Sequence, residues 1–213
     1  MILIGQFDSP FVRRVGIALR LYGFAFEHRP WSAFGDAEKI AQFNPLRRVP
    51  TLVLDDGEAL IESGAILDYL DELARDGSTG PSRALIAESG PDRRRALKVC
   101  ALATGLADKA VSLIYERVLH SQTSDAWIAR CTAQIGAVLD VLEQDRADRP
   151  GPWWFGTSIG HADIAVACAL RFLRDGHPAL FQEERWPHLI AHFLRCESLE
   201  PFQEIAQPFL PPS

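Results

Sequence analysis

Two serines and one proline carry the chemistry this chain could do. Ser9 stands in Ser9-Pro10-Phe11, between a short apolar strand and an apolar helical run. Serine at a cap followed by proline at the first helical position is among the commonest ways to begin a helix. The same arrangement puts a hydroxyl at the positive end of that helix, where it can donate to an anion that the dipole and the free N–H groups also favour. A thiolate is a suitable anion. A free thiol has a pKa of about 8.5, and each unit of lowering corresponds to about 1.4 kcal/mol, the size of one charge-assisted hydrogen bond.

Glu62-Ser63 reads as a second helix opening, again with serine at the cap. As structure it is a capping serine beside an acid that the dipole favours. As chemistry, Glu62 suits an α-ammonium group, and the Ser63 hydroxyl and N–H suit an α-carboxylate. Val49-Pro50 lies between the two openings, and a proline that heads a strand removes one ladder donor. Were that bond cis, Val49 would turn its N–H and C=O outward, where they could grip an extended peptide-like ligand.

The elements that must hold these residues follow from periodicity and turn chemistry. Met1 to Gly5 is a short apolar strand, and Pro10 to Tyr22 a helix with Val15, Leu19 and Tyr22 on one face. Phe24 to Trp31 is extended, and Asp36 to Phe43 is a short helix ended by Asn44-Pro45. A hairpin turns at Asp55-Asp56-Gly57 between Val53-Leu54 and Ala59 to Ile61. Ser63 to Arg75 is again helical, so the order is β-α-β-α-β-β-α.

Residues 76 to 91 are rich in glycine and proline and form the linker candidate, with a boundary near residue 80. Beyond it, Ile128, Cys131, Ile135, Val138 and Leu142 follow helical spacing. Loop signals at 148 to 160 and at Gly176-His177-Pro178 divide the remainder into about five helices, and the closing PFLPPS reads as a loose tail. The fold class expected is therefore α/β followed by all-α, with domains at 1–78 and 85–213.

Composition narrows the function classes. The 213 residues are 47% hydrophobic and carry a net charge of −6, and the Arg93-Arg94-Arg95 run falls within a helical pattern, so nucleic acid is not an expected partner. The first residues lack a signal-peptide pattern and no stretch has the length of a membrane span, so the expectation is a cytoplasmic protein that does not engage a membrane. Cys100, Cys131, Cys168 and Cys196 are widely spaced and read as buried free thiols. His188 and His192 are one helical turn apart but have no third ligand in view, so no metal is expected. Trp153-Trp154-Phe155 reads as a loop pinned onto a helical core.

The segments SPFVRRV from Ser9, NPLRRVPTLVL from Asn44 and ESGAILDYLDE from Glu62, at these separations, resemble the bacterial glutathione S-transferase superfamily, in particular its serine-type classes. The resemblance implies a thioredoxin-like first domain, an all-helical second domain that supplies the electrophile side of a cleft, and a cytoplasmic homodimer engaged in detoxification. It implies that Ser9 stabilises the thiolate of glutathione, the co-substrate, while Val49 before cis-Pro50 pairs with the cysteinyl backbone. Glu62 and Ser63 would hold the γ-glutamyl end and Arg48 the glycyl carboxylate. Phe11 and Tyr115 would line the pocket for a small hydrophobic electrophile. Gly160-His161-Ala162-Asp163 takes the place of a family helix opening that has serine or threonine where glycine stands here, a change that bears on folding.

The activity so implied is conjugation of glutathione to the electrophile. The alternatives are a binding or scaffold module that keeps the fold without the reaction, or a glutathione-dependent thiol-disulfide reductase or peroxidase. Disulfide exchange needs a sulfur at the head of the first helix, and Ser9 has none.

Overall fold

The computed structural model describes residues 1–77 and 84–211, so part of the linker candidate and the last two residues of the tail lie outside the described residues. The chain divides into two compact units, Met1–Glu88 with Glu200–Gln207, and Ser89–Leu199 with Pro208–Ser213.

The first unit runs β1 (Ile2–Ile4), α1 (Pro10–Tyr22), β2 (Glu27–Arg29), α2 (Ala37–Ala41), β3 (Thr51–Val53), β4 (Ala59–Ile61) and α3 (Ser63–Arg75), in the expected order. The sheet order is β2-β1-β3-β4, with β2 parallel to β1 and the other pairs antiparallel. Side chains alternate across a strand. Leu3 and Leu52 therefore join Val12, Val15, Leu19, Ile66 and Leu70 in a core under α1 and α3, while Ile4 and Val53 meet Ile40 of α2 in a smaller one.

α1 begins at its cap Ser9 with Pro10 behind it, and ends where Gly23 takes φ +72°. α2 is shorter than the expected 36–43, because Asp36 is its cap and the last turn tightens, Phe43 N–H donating to Ile40 O at 2.9 Å. Tyr22 and Asp71 join α1 to α3 by a buried hydrogen bond, and Leu85 N–H donates to both, at 3.0 and 3.1 Å. Burial and the facing carboxylate push the Tyr22 hydroxyl's pKa up.

The second unit contains α4 (Gly90–Leu119), α5 (Asp125–Ala147), α6 (His161–Gly176) and α7 (Pro187–Glu197), with two single-turn 3₁₀ segments before α7. A further short helix, α8 (Glu200–Glu204), belongs to the first unit. A single boundary near residue 80 does not anticipate that return. Its cause is Arg13, 2% exposed, whose guanidinium donates to Ile205 O and Phe202 O at 2.8 Å each. A buried guanidinium requires acceptors, and the free carbonyls at a helix end supply them.

α6 lacks a capping side chain because Gly160 stands at its cap, yet half of a capping box survives. Asp163 Oδ2 accepts from Gly160 N–H at 2.8 Å, and its Oδ1 accepts from Trp154 N–H at 2.7 Å. Trp154, 1% exposed, also donates from its indole to Asp145 at 2.6 Å, which pins the aromatic loop as its composition suggested. His188 and His192 take separate partners: His188 pairs with Glu143 at 2.6 Å, and His192 is buried 3.3 Å from Asp163. The tail is not wholly loose, since Phe209 stands edge-on to Phe172 with ring centroids 5.5 Å apart. All four cysteines are buried in the second unit.

Burial opposes charge on both members of the Asp163–His192 pair. It holds the His192 pKa down at about 3 and raises that of Asp163 to about 6. The unfolded imidazole binds a proton below its ordinary 6.5 while the folded one stays neutral, so His192's contribution to stability is lost as pH falls from 6.5 towards 3. Asp163 acts in the opposite sense over its own narrower range, from 6 down to 3.8. Thermal denaturation of His192→Gln and the parent tests this. The parent's advantage is expected to shrink by about 2 kcal/mol between pH 7 and pH 5, and parallel stability profiles would contradict the assignment.

Candidate functional site

The register of the sheet gathers the sequence-predicted residues at one edge. Thr51, the first residue of β3, is flanked by Ile4 of β1 and Ile61 of β4, and both neighbours run antiparallel to it. The outgoing ends of β1 and β4 therefore lie on either side of the incoming end of β3. Just past Ile4 come Gly5 and then Ser9; just before Thr51 come Val49 and Pro50; just after Ile61 come Glu62 and Ser63. α1 and α3 both start at this edge, so two positive helix ends open there.

The approach of the first two segments is close enough to exclude any side chain at Gly5. A Cβ there would lie 2.5 Å from Val12 Cγ2 and 2.8 Å from Val49 Cβ, and Gly5 also has φ +129°. Ser9 caps α1 by accepting from Val12 N–H at 3.4 Å. That bond uses the oxygen as acceptor and leaves the O–H as a donor.

The Val49-Pro50 peptide is cis. Asn44, 2% exposed, holds the segment ahead of it: its amide donates to Arg48 O at 2.9 Å and to Thr51 Oγ1 at 3.1 Å, and its Oδ1 accepts from Leu46 N–H at 3.0 Å. Among the described residues neither the N–H nor the C=O of Val49 takes a hydrogen-bond partner. A backbone pair left open beside a strand end is the half of a β-ladder that an extended peptide can complete.

At the third segment the helix opening differs from the sequence expectation. Glu62, not Ser63, is the cap of α3, since its C=O accepts the first helical bond from Ile66 at 3.0 Å. Ser63 is the first helical residue, and its hydroxyl faces inward, accepting from Arg14 Nη1 at 3.3 Å. Glu62 has φ +66°, a region that non-glycine residues enter at a cost of about 1–3 kcal/mol and that clusters at ligand sites. Its carboxylate is exposed and lies 3.7 Å from Arg48 Nη1, a pair exposed enough to be weak.

Of the remaining predicted residues, Phe11 is half-buried next to Ser9 on the first turn of α1, while Tyr115 is 38% exposed on α4 of the second unit. Gly5, Arg14 and Asn44 are the positioning residues that sequence reasoning passed over. Asn44 carried a partial signal as the polar residue before Pro45. Arg14 carried none, because a buried arginine in an amphipathic helix reads as solvated until its neighbours are known. Among the described residues no group of three or more metal-ligating side chains is assembled.

A four-stranded sheet flanked by helices, a cis-proline loop with an open backbone pair, two serine-bearing helix starts and a separate all-helical unit together define a class. The chain belongs to the glutathione S-transferase family: residues 3–80 match its N-terminal domain and residues 125–195 its C-terminal domain. It is 30% identical, over 98% of its own length and 99% of the other's, to the uncharacterised GST-like protein YibF of Escherichia coli strain K12. It is 29% identical to the maleylacetoacetate isomerase of Pseudomonas aeruginosa, over 83% of this chain and 81% of that one. A glutathione S-transferase from Methylobacterium radiotolerans, solved in complex with glutathione sulfonate, superposes with a TM-score of 0.88 at 27% identity, covering 98% of this chain and 97% of that one.

Asn44 is the test of how the open backbone pair is held. Asn44→Ala removes three hydrogen bonds around a buried segment and is expected to lower unfolding free energy by about 2–3 kcal/mol, with faster hydrogen exchange confined to residues 46–51. Unchanged stability in denaturant titration would show that the loop holds itself.

Proposed function

We propose that the protein is a serine-type glutathione transferase that binds reduced glutathione along this sheet edge and conjugates it to a small hydrophobic electrophile. The open N–H and C=O of Val49, beside the donor-ready hydroxyl of Ser9, carry the reading. An extended peptide with its cysteinyl residue paired to Val49 brings its sulfur towards the Ser9 end of α1 and its γ-glutamyl group towards α3. There Glu62 receives the ammonium, and Ser63 with the start of α3 receives the carboxylate. Arg48, released from Glu62, is free to meet the glycyl carboxylate.

In the reaction the thiol proton passes to solvent, and the Ser9 O–H and the α1 dipole hold the thiolate. The sulfur then attacks an electrophilic carbon. A sulfur–carbon bond forms, and either a leaving group departs with its electron pair or the adjacent carbanion takes a proton. Phe11, two residues past Ser9 on the first turn of α1, is the aromatic side chain that would face the electrophile. Disulfide exchange at this site is disfavoured, because the oxygen of Ser9 cannot be attacked and released and all four cysteines are buried in the second unit.

The likeness to a maleylacetoacetate isomerase supports a second reading, in which the same thiolate adds to a double bond and is expelled after rotation. Glutathione is consumed in conjugation and returned in isomerisation, so stoichiometry separates the two.

Ser9→Ala is expected to bind glutathione nearly as the parent does while the bound thiol's pKa rises by about one unit, slowing conjugation at slightly acid pH roughly tenfold. Ultraviolet titration of the thiolate and initial rates read this, and equal rates would remove Ser9 from the mechanism. Glu62→Ala is expected to weaken glutathione binding by about 1.5–3 kcal/mol through loss of one charge-assisted contact. An unchanged dissociation constant in calorimetry would refute the γ-glutamyl assignment.

A further inference from the structure

A pocket of about 440 Å³ lies within the second unit and shares no residue with the site described above. The end of α5, the turn at 149–152 and one face of α7 line it, with His188, His192 and Arg195 of α7 recurring at helical spacing. Of its ten lining residues three are arginines, two are histidines and none is acidic, in a chain whose net charge is −6.

The charges are not equally compensated. Arg149 is clamped by both oxygens of Asp145, at 2.9 and 3.0 Å, and His188 is paired with Glu143. Arg146 and Arg195 are held by neutral carbonyls of the turn instead. Arg146 donates to Arg149 O at 2.9 Å and Gly151 O at 2.7 Å, and Arg195 donates to Pro152 O at 2.7 Å. Among the described residues neither has a carboxylate within 4.0 Å.

Arg146 is only 7% exposed, and burial, then the charge of Arg195, push its guanidinium below its ordinary range. Each carbonyl bond uses one of five donors and fixes the plane of the fork, leaving other donors unspent. His192 contributes a second observation: its Nδ1 is buried without a hydrogen-bond partner, and with Nε2 facing Asp163 this neutral ring presents Nδ1 as an acceptor, which a ligand's bridging water or the P–OH of a hydrogen phosphate can satisfy.

We propose that this pocket is a binding site for a small ligand bearing a phosphate or carboxylate group, held chiefly by the guanidinium groups of Arg146 and Arg195. Two guanidiniums hydrogen-bonded to neutral carbonyls, with Asp163 acting on Arg146 only from beyond ion-pair distance, are matched by an oxyanion with several acceptor lone pairs, and the volume falls within the range of small-ligand pockets.

Calorimetry and ring-proton shifts of His188, with inorganic phosphate and succinate as separate probes in low-salt chloride buffer, test the proposal on the full chain. Saturable one-to-one binding of at least one probe is expected, weakened about tenfold or more by Arg195→Gln, an exposed substitution that should not disturb folding. Ser9→Ala is expected to bind the probe as the parent does. Arg146→Gln, once shown to be folded by circular dichroism, should weaken it similarly. Phosphate binding alone assigns the site to phosphates, succinate alone to carboxylates, and both to oxyanions generally. Absence of saturable binding up to about 20 mM probe, or parent-like binding by Arg195→Gln, would overturn it.

Discussion

The placement of β3 between β1 and β4 is the constraint on which the first unit depends. Because both neighbours run antiparallel to it, one end of β3 receives two outgoing chain ends, each of which feeds a helix on the same face of the sheet. Side-chain alternation locks that register, since a slip by one residue would take Leu52 out of the core under α1 and α3 and turn it to the smaller α2 face, with Thr51 or Val53 in its place. The core thereby fixes where the three segments of the candidate site meet. Gly5 is the mark it leaves on the sequence, the one position where the α1 segment and the cis-proline segment approach too closely for a side chain.

A second regularity runs through the same edge. The two serine hydroxyls there each have one hydrogen-bonding role filled by the protein and another left over, and the Val49 backbone has both open. Ser9 Oγ accepts from Val12, Ser63 Oγ accepts from Arg14, and both keep an O–H to give. Arg48 O is satisfied by Asn44 while the next residue, Val49, has no partner for either backbone group. Such half-satisfied groups are costly in a dry core and tolerable where water or a ligand reaches them. The fold thus assembles an array of directed donors and acceptors without depending on a ligand to hold it together.

Much of this was legible because the signals are local. Ser-Pro-Phe after an apolar strand fixes the start of α1, Asp-Asp-Gly fixes the hairpin, and Ser63 to Arg75 has the periodicity of a one-sided helix. What escaped reading depends on contacts distant in sequence. The return of α8 to the first unit rests on Arg13, 189 residues from Phe202. Ser63, one position inside the α3 cap at Glu62, turns its hydroxyl inward to accept from Arg14, 49 residues away. In both cases an arginine that periodicity would assign to solvent is buried, and only its partners in space reveal why.

The identity of the ninth residue decides which chemistry such an edge can support. A sulfur at the head of α1 would sit at the same helix end and be ionised by the same dipole, and it could be attacked, form a mixed disulfide and leave. An oxygen there forms no such bond at accessible cost, so it acts only by hydrogen bonding to a charge that another molecule brings. The four thiols of this chain are buried, and burial raises the pKa values of Cys131 and Cys196, which makes them poor nucleophiles at neutral pH. Any thiolate chemistry at the sheet edge would therefore need a thiol carried in by a ligand.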